Sequence, residues 1–168
     1  MFKLFNPFNP FGAYGVVGEL ADSFVDNVVR ETVKPVPGSV VYCGLLNNIV
    51  EHSGIYVSDN CIVHLDGSGR IEAIDPTGFL QRLDGWNLAM TIYVSSHGGR
   101  AVGDEQVARR AASMVRTSRN YNVVMDNCHQ FTAGCLTGDF ENANNFMWML
   151  KDRARAVLGC SEWRAWDR

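Results

Sequence analysis

Near its middle the chain changes from short strand-like segments to helical segments, and this change constrains the fold more than any other feature. Between Pro37-Gly38 and Gly98-Gly99, runs rich in Val, Ile and Tyr are separated by clusters of Gly, Asn, Asp and Ser, which is typical of strands joined by turns. We predict an antiparallel meander from this pattern. Its strands are residues 39–42, 53–57, 62–65, 70–74 and 89–94.

Helices are predicted on both sides of the strands. Before them, Val17, Leu20 and Phe24 recur at helical spacing in a segment that ends near Pro35. Three helices are predicted after the strands. The first starts near Asp104, the second runs from Cys128 to Gly138, and the third runs from about Asn142 to Gly159. The third is expected to bury Phe146, Leu150, Ala154 and Val157. This order predicts an α+β fold in which helices pack against one small antiparallel sheet.

The length and composition of the chain fit one domain with a core of its own. It has 168 residues, of which 46% are apolar and 20% charged. We expect a single domain over residues 1–168, with an N-terminal arm and helix (1–35), a core (36–137) and a C-terminal helix and tail (138–168). The arm repeats Asn-Pro-Phe, and we interpret it as irregular chain whose Phe rings plug into the domain. Contact with a partner or with lipid is the alternative.

The net charge and the cysteine content limit the cellular compartment and the kinds of partner that we expect. The net charge of −3 gives no general attraction to nucleic acid or anionic lipid. The five cysteines are odd in number and lack framework spacing, which indicates a reducing compartment. No signal peptide is evident, and no apolar run reaches the length of about 18 residues that a membrane span needs. We expect a cytoplasmic protein, with peripheral membrane contact as the alternative.

Cys128 is predicted to lie in the first turn of a helix, with Asp126 or Asn127 as the N-cap. The helix dipole and the free backbone N–H groups at such a position favour the thiolate. The same N–H groups can hold an oxyanion after the sulfur attacks a carbonyl. Cys128 is therefore a candidate nucleophile.

His52 and His64 are twelve residues apart and can meet across a hairpin. If residues 58–60 form the loop, Gly54 opposes His64, and the two histidines are diagonal neighbours on one face. Gly54 then leaves room for the His64 ring. A register shifted by one residue would place the histidines on opposite faces.

These residues resemble the lecithin:retinol acyltransferase (LRAT) family and its phospholipase/acyltransferase relatives, a circularly permuted branch of the NlpC-type papain-like superfamily. The resemblance covers roughly residues 36–136. It rests on Pro37-Gly38, the H-x-x-I-Y-V strand from His52 to Val57, Val63-His64-Leu65, and Asn127-Cys128 followed by Phe131. It implies a circularly permuted papain-like (NlpC/LRAT-like) fold.

The resemblance also implies roles for site residues. Cys128 would be the nucleophile, His52 the base that deprotonates it, and His64 the group that orients His52. Asn127, Tyr56 and Gly54 would support the site or the substrate. The implied activity is that of a cysteine-dependent acyltransferase or hydrolase, which works through a thioester at Cys128 on a lipid ester or amide. We expect no cofactor, no metal and no nucleic-acid partner.

The chain departs from the family pattern in two places. The family commonly has Asn-Cys-Glu-His-Phe, whereas His129 and Gln130 occupy the two middle positions here. His129 lies about 100° around the helix from Cys128, and we predict that it is peripheral. The chain ends in a Trp-rich segment in place of a hydrophobic anchor, so that only transient membrane contact, through the arm or through Trp163 and Trp166, is expected.

Three other interpretations remain at this point. The first is a peptidase or amidase of the same superfamily. The second is a non-catalytic binding module that retains the His and Asn-Cys motifs as structure. The third is a metal site of Cys128, His52, His64 and Asp66, which we disfavour because the sequence has no close ligand pair such as C-x-x-C.

Overall fold

The computed structural model describes residues 32–45, 50–81, 91–120 and 127–168, and within these residues one antiparallel sheet is packed with helices in an α+β fold. The strands are β1 (Val40–Leu45), β2 (Val50–Ser58), β3 (Cys61–Leu65), β4 (Ile71–Ile74), β5 (Tyr93–His97), β6 (Arg100–Ala101) and β7 (Glu162–Ala165). The helices are α1 (Pro76–Leu80), α2 (Glu105–Ser113), α3 (Cys128–Thr137) and α4 (Met147–Leu158). The predicted arm and the predicted helix before Pro35 lie outside the described residues, apart from the last few positions.

The first four strands form the predicted meander, but the fifth does not continue it. The strand order is β4-β3-β2-β1-β5-β6, with β7 also paired to β5. Residues 89 and 90 of the predicted strand 89–94 lie outside the described residues. The rest of that prediction was wrong in its limits, because β5 spans Tyr93–His97 and pairs with β1. This strand contains two buried serines, so its sequence does not show the apolar residues expected of a buried strand. The Ser95 hydroxyl accepts from Val40 N (3.0 Å) and donates to Val102 O (2.8 Å), and Ser96 donates to Val94 O (3.0 Å).

The β2–β3 hairpin reaches the predicted register by a different turn. The loop has two residues, Asp59 and Asn60, both with positive φ (46° and 58°), as a tight hairpin turn requires. On its own this turn would pair Ser58 with Cys61 and shift the ladder by one residue. A bulge at Val57 cancels the shift, so that Ile55 pairs with Val63. The predicted register in the body of the hairpin is confirmed.

Both faces of the sheet are covered. On one face a core of buried side chains packs under α2, α3 and α4, and includes Ile55, Val63, Phe131 and Trp163. On the other face a smaller cluster includes Ile62, Val94, Phe79 of α1, Val33 and Trp166. Trp163 and Trp166 are thus buried, at 8% and 7% exposure, and neither is available for the membrane contact considered above.

Most helix ends agree with the capping signals in the sequence. Asp104 caps α2, and Gly138 ends α3 with φ 85°. The third predicted helix begins later than expected, at Met147, with Phe146 as its N-cap. Leu150 and Ala154 are buried as predicted. The expectation for Phe146 and Val157 was wrong, because Phe146 precedes the helix and the buried stripe passes from Ala154 to Leu158.

Three short elements were not predicted: α1, β6 and β7. Asp75-Pro76 is the start signal of α1, since Asp75 accepts from Gly78 N (2.7 Å) and proline occupies the first turn. In the part of the chain that the structure describes, no helix has the length and apolar character needed to cross a bilayer.

Candidate active site

Asn127 fixes the start of α3 and therefore the position of Cys128. Its side-chain oxygen accepts from His129 N (2.9 Å) and Gln130 N (3.2 Å), and its amide nitrogen donates to Asn145 O (2.7 Å). The cap was predicted as Asp126 or Asn127, and the structure selects Asn127. Cys128 is the first residue of the helix, as predicted.

The Cys128 thiol lies beside the edge of β2 that faces β3. The backbone of Tyr56 bonds on the β1 side, where its N–H donates to Ser39 O and its C=O accepts from Gly38 N. Because these groups alternate along a strand, the C=O of Glu51 and the N–H of Ser53 point toward the β3 side. The β2–β3 ladder runs from Ser58–Cys61 to Ile55–Val63, while β2 continues against β1. The thiol approaches the strand here, with Sγ 3.9 Å from the Glu51 carbonyl oxygen.

Burial opposes ionisation of this thiol. Cys128 is 5% exposed, and burial raises the pKa of the thiol above its ordinary value. Hydrogen bonds from the N–H and hydroxyl of Ser53, and from the backbone N–H groups of Cys128 and His129, act in the opposite direction. The helix start alone was expected to favour the thiolate, but in the structure its effect is outweighed by burial.

The structure brings His52 and His64 together. Nε2 of His52 lies 2.9 Å from Nδ1 of His64, and the rings meet at 83° with Phe79 of α1 against both. Nε2 of His64 lies 3.5 Å from a carboxylate oxygen of Glu72, which favours a proton on that nitrogen. Nδ1 of His64 is then an acceptor, and Nε2–H of His52 donates to it. This order leaves Nδ1 of His52 with a lone pair, which is the state that a base needs.

Gly54 lies where the hairpin register predicted. A Cβ at this position would meet Val63 O at 2.8 Å, Ile62 Cγ2 at 2.9 Å and His64 Cβ at 3.1 Å. The missing side chain therefore lets β3 and His64 approach β2. Tyr56, the other predicted supporting residue on β2, packs its ring on Trp166 (5.3 Å), and its hydroxyl accepts from Asn60 N (3.5 Å).

His129 is buried beside the thiol, so the prediction that it is peripheral was wrong. Its Nδ1 lies 3.8 Å from Cys128 Sγ and 2.8 Å from Ser53 Oγ. Burial, with a smaller effect of the Lys151 charge, lowers the pKa of His129 to about 4, so the ring is neutral at physiological pH. The helix angle alone missed this contact because β2 supplies Ser53 as a partner on that side.

A groove begins at Glu51, the residue whose carbonyl oxygen contacts the Cys128 thiol. Its volume is about 520 Å³, and it runs along the start of α4. Its lining combines apolar side chains, among them the exposed Phe146 and Trp148, with charged side chains of both signs, namely Lys151, Arg155, Glu51 and Asp152.

Asp66, the remaining residue of the disfavoured metal site, is held within the β3–β4 turn. It accepts from Ser68 and Arg70, and Arg70 also pairs with its carboxylate at 3.0 Å. Among the described residues, no group of three or more His, Cys, Asp or Glu side chains is arranged to hold a metal ion.

Comparison with known proteins agrees with this architecture. The family model described as lecithin retinol acyltransferase matches residues 33–141, which is more than half of the chain. That match includes β1 to β6, α1 to α3, and the residues Cys128, His52 and His64. Asn145 and the groove residues from Phe146 to Arg155 lie outside it. No curated protein matches the chain significantly. The chain belongs to the lecithin retinol acyltransferase family.

Proposed function

We propose that the protein is a cysteine-dependent acyltransferase or hydrolase that forms a thioester at Cys128. Membership of the lecithin retinol acyltransferase family supports the general class of reaction. The observation that carries the proposal is the hydrogen-bonded pair of His52 and His64 (2.9 Å), located where the backbone of β2 contacts the thiol at the start of α3.

In the proposed reaction, Nδ1 of His52 takes the proton of the Cys128 thiol, and His64 holds the His52 ring through Nε2. The thiolate sulfur attacks the carbonyl carbon of the substrate, and the carbonyl oxygen takes up the negative charge. The N–H of Cys128 is the donor that we propose for this oxygen, because the next two N–H groups of α3 donate to Asn127 Oδ1. When the intermediate collapses, the leaving oxygen or nitrogen takes the proton from His52, and the acyl group remains on sulfur.

The second half of the reaction regenerates the enzyme. Water, a hydroxyl or an amine gives a proton to His52 and attacks the thioester carbonyl. The carbon–sulfur bond breaks, and the proton returns to the sulfur of Cys128. Water as the acceptor makes the protein a hydrolase, and a hydroxyl or an amine makes it a transferase.

A lipid ester is the substrate class that we propose. The groove at Glu51 is lined by the apolar side chains of Phe146, Met147 and Trp148, and its charged side chains are two cations and two carboxylates. The apolar side chains suit an acyl chain. The exposed ring of Trp148 is also the group we propose for transient contact with a lipid surface.

Intact-mass spectrometry during turnover of an acyl ester tests the thioester. We expect the mass of one acyl group on wild-type protein, located at Cys128, and neither the adduct nor turnover with Cys128→Ala. Cys135→Ala is the matched control, since Cys135 is a buried thiol on the same helix, and this variant should keep both. Turnover retained by Cys128→Ala would refute the proposal.

Substrate panels separate the proposal from its nearest alternative. Long-chain esters, acetyl esters and short peptides should be compared on the same preparation. Preference for long-chain esters is expected. Cleavage of peptides in preference to esters, with the same dependence on Cys128, would replace the lipid substrate by an amide substrate.

A further inference from the structure

We propose that Thr132, Ser53 and His129 form a hydrogen-bond chain that holds His129 as the Nδ1–H tautomer and makes Ser53 and His129 the donors to the Cys128 thiolate. The inference rests on the proposed role of Cys128 as a nucleophile. It assigns a function to three side chains that the reaction described above does not use.

The chain of contacts begins and ends at Cys128. The Thr132 hydroxyl lies 2.7 Å from the Cys128 carbonyl oxygen, and Ser53 Oγ lies 3.1 Å from Thr132 Oγ1. Ser53 Oγ then lies 2.8 Å from Nδ1 of His129, which in turn lies 3.8 Å from Cys128 Sγ. All four side chains are buried, and Ser53 and Thr132 have no exposed surface.

The direction of each bond follows from the first one. A carbonyl oxygen can only accept, so Thr132 must donate its single proton to Cys128 O. Thr132 Oγ1 is then an acceptor for Ser53. While the thiol is neutral, a Ser53 proton that pointed at His129 would leave the lone pairs of Ser53 and Thr132 facing each other at 3.1 Å in a buried site, with no charge to offset that cost. Ser53 therefore accepts from Nδ1–H of His129.

This tautomer places an N–H beside the sulfur. Ionisation of Cys128 creates a negative charge in a site where burial opposes it. Nδ1–H of His129 donates to Ser53 Oγ, and because Nδ1 also lies 3.8 Å from Sγ its proton can be shared with the charged sulfur. Once the thiolate forms, the Ser53 hydroxyl can turn from Thr132 to the sulfur, because a hydrogen bond to an anion is stronger than the neutral bond that it replaces. Since the His129 ring stays neutral, it stabilises the thiolate as a dipole donor and does not remove the proton itself.

The test is the apparent pKa of Cys128 in the full-length chain, from the rate of iodoacetamide alkylation against pH with site-resolved mass spectrometry. His129→Leu removes the donor, and we expect it to raise the thiol pKa by about one unit or more. His129→Asn keeps an amide N–H close to the position of Nδ1–H, and we expect a thiol pKa near that of the wild type.

A second pair of variants tests the chain at its far end. Thr132→Val keeps the shape of the side chain and removes the acceptor of the Ser53 proton. Ser53 can then donate to Nδ1 of His129, the sulfur loses the Nδ1–H donor, and the thiol pKa should also rise. Thr132→Ser keeps the hydroxyl and should not. This pair decides the question if His129→Leu fails to fold. A purely structural role would change the thermal midpoint but leave the thiol pKa equal within each pair, and that result would overturn the inference.

Failure of the inference and failure of the proposed function give different results. If Cys128→Ala keeps its turnover, the proposed function is wrong, whatever the alkylation profiles show. If Cys128→Ala is inactive but the thiol pKa is the same in His129→Leu, His129→Asn and the wild type, the proposed function survives and the donor role of His129 is wrong.

Discussion

His129 contributes to stability in a way that depends on pH. Burial lowers its pKa from 6.5 to about 4, so that below about pH 6.5 the unfolded chain binds a proton that the folded chain does not. The stabilisation is complete above about pH 6.5 and is lost as the pH falls toward 4. We expect urea unfolding to show a smaller loss of stability over this range for His129→Asn than for the wild type. The same pH dependence of stability in the wild type and in His129→Asn would contradict this prediction.

Gly54 is a second residue on which the geometry of the candidate site depends. We expect Gly54→Ala to lower the free energy of unfolding by roughly 1–3 kcal/mol, because its Cβ would overlap the backbone of β3 and push His64 away. Turnover should fall with it. In Gly67→Ala, the added methyl group meets no atom within 4 Å, and this variant should unfold within about 0.5 kcal/mol of the wild type. Equal urea midpoints for the two variants would contradict this prediction.

The sequence could predict which residues carry the candidate chemistry better than it could predict their surroundings. The predicted register placed His52 and His64 on one face, but the three-residue loop on which it rested was wrong. The loop has two residues, and the bulge at Val57 restores the register. The environment of Cys128 was not predictable, because it depends on Ser53 and Thr132. Nothing in the local pattern marks these two hydroxyls, and they meet only after α3 packs on β2.

At the scale of elements, α3 couples helix stability to the reactivity of the thiol. Asn127→Ala removes the cap of α3 and should cost about 1 kcal/mol of stability, and it should also raise the apparent pKa of Cys128. Asp104→Ala removes the corresponding cap of α2, which accepts from Gln106 N (2.7 Å) and Val107 N (3.2 Å). We expect a similar loss of stability there with no change in the thiol. Urea unfolding and the alkylation profile measure the two effects, and a thiol pKa that is unchanged in Asn127→Ala would contradict the coupling.

Most helix ends and the β1–β4 meander were predictable, whereas the partners of β5 were not. Capping residues act over three or four positions, so Asp104, Asn127 and Gly138 can be identified in the sequence itself. The pairing of β5 with β1 and with β7 joins segments about 50 and 70 residues away, and no local signal contains it. The four residues of β7 were too few for a pattern.

For the whole molecule, the two covered faces of the sheet determine which aromatic side chains contribute to stability. Trp163 is buried under the helices, whereas Trp148 on α4 is 64% exposed. We expect Trp163→Ala to cost about 3–5 kcal/mol and Trp148→Ala less than about 0.5 kcal/mol, as measured by urea unfolding. A large loss for Trp148→Ala would mean that this ring is covered in the folded protein.

The bulge at Val57 has a consequence for how this chain can vary. Because strand side chains alternate, the segment that joins His52 to His64 has a parity, and only changes of an even number of residues preserve the meeting of the two rings. The tight turn and the bulge each contribute one odd step, and together they restore the parity. Loss of the turn alone or of the bulge alone would place the two imidazoles on opposite faces of the sheet without changing a residue of the motif. Loss of both, with a wider loop in their place, would keep the imidazoles on one face.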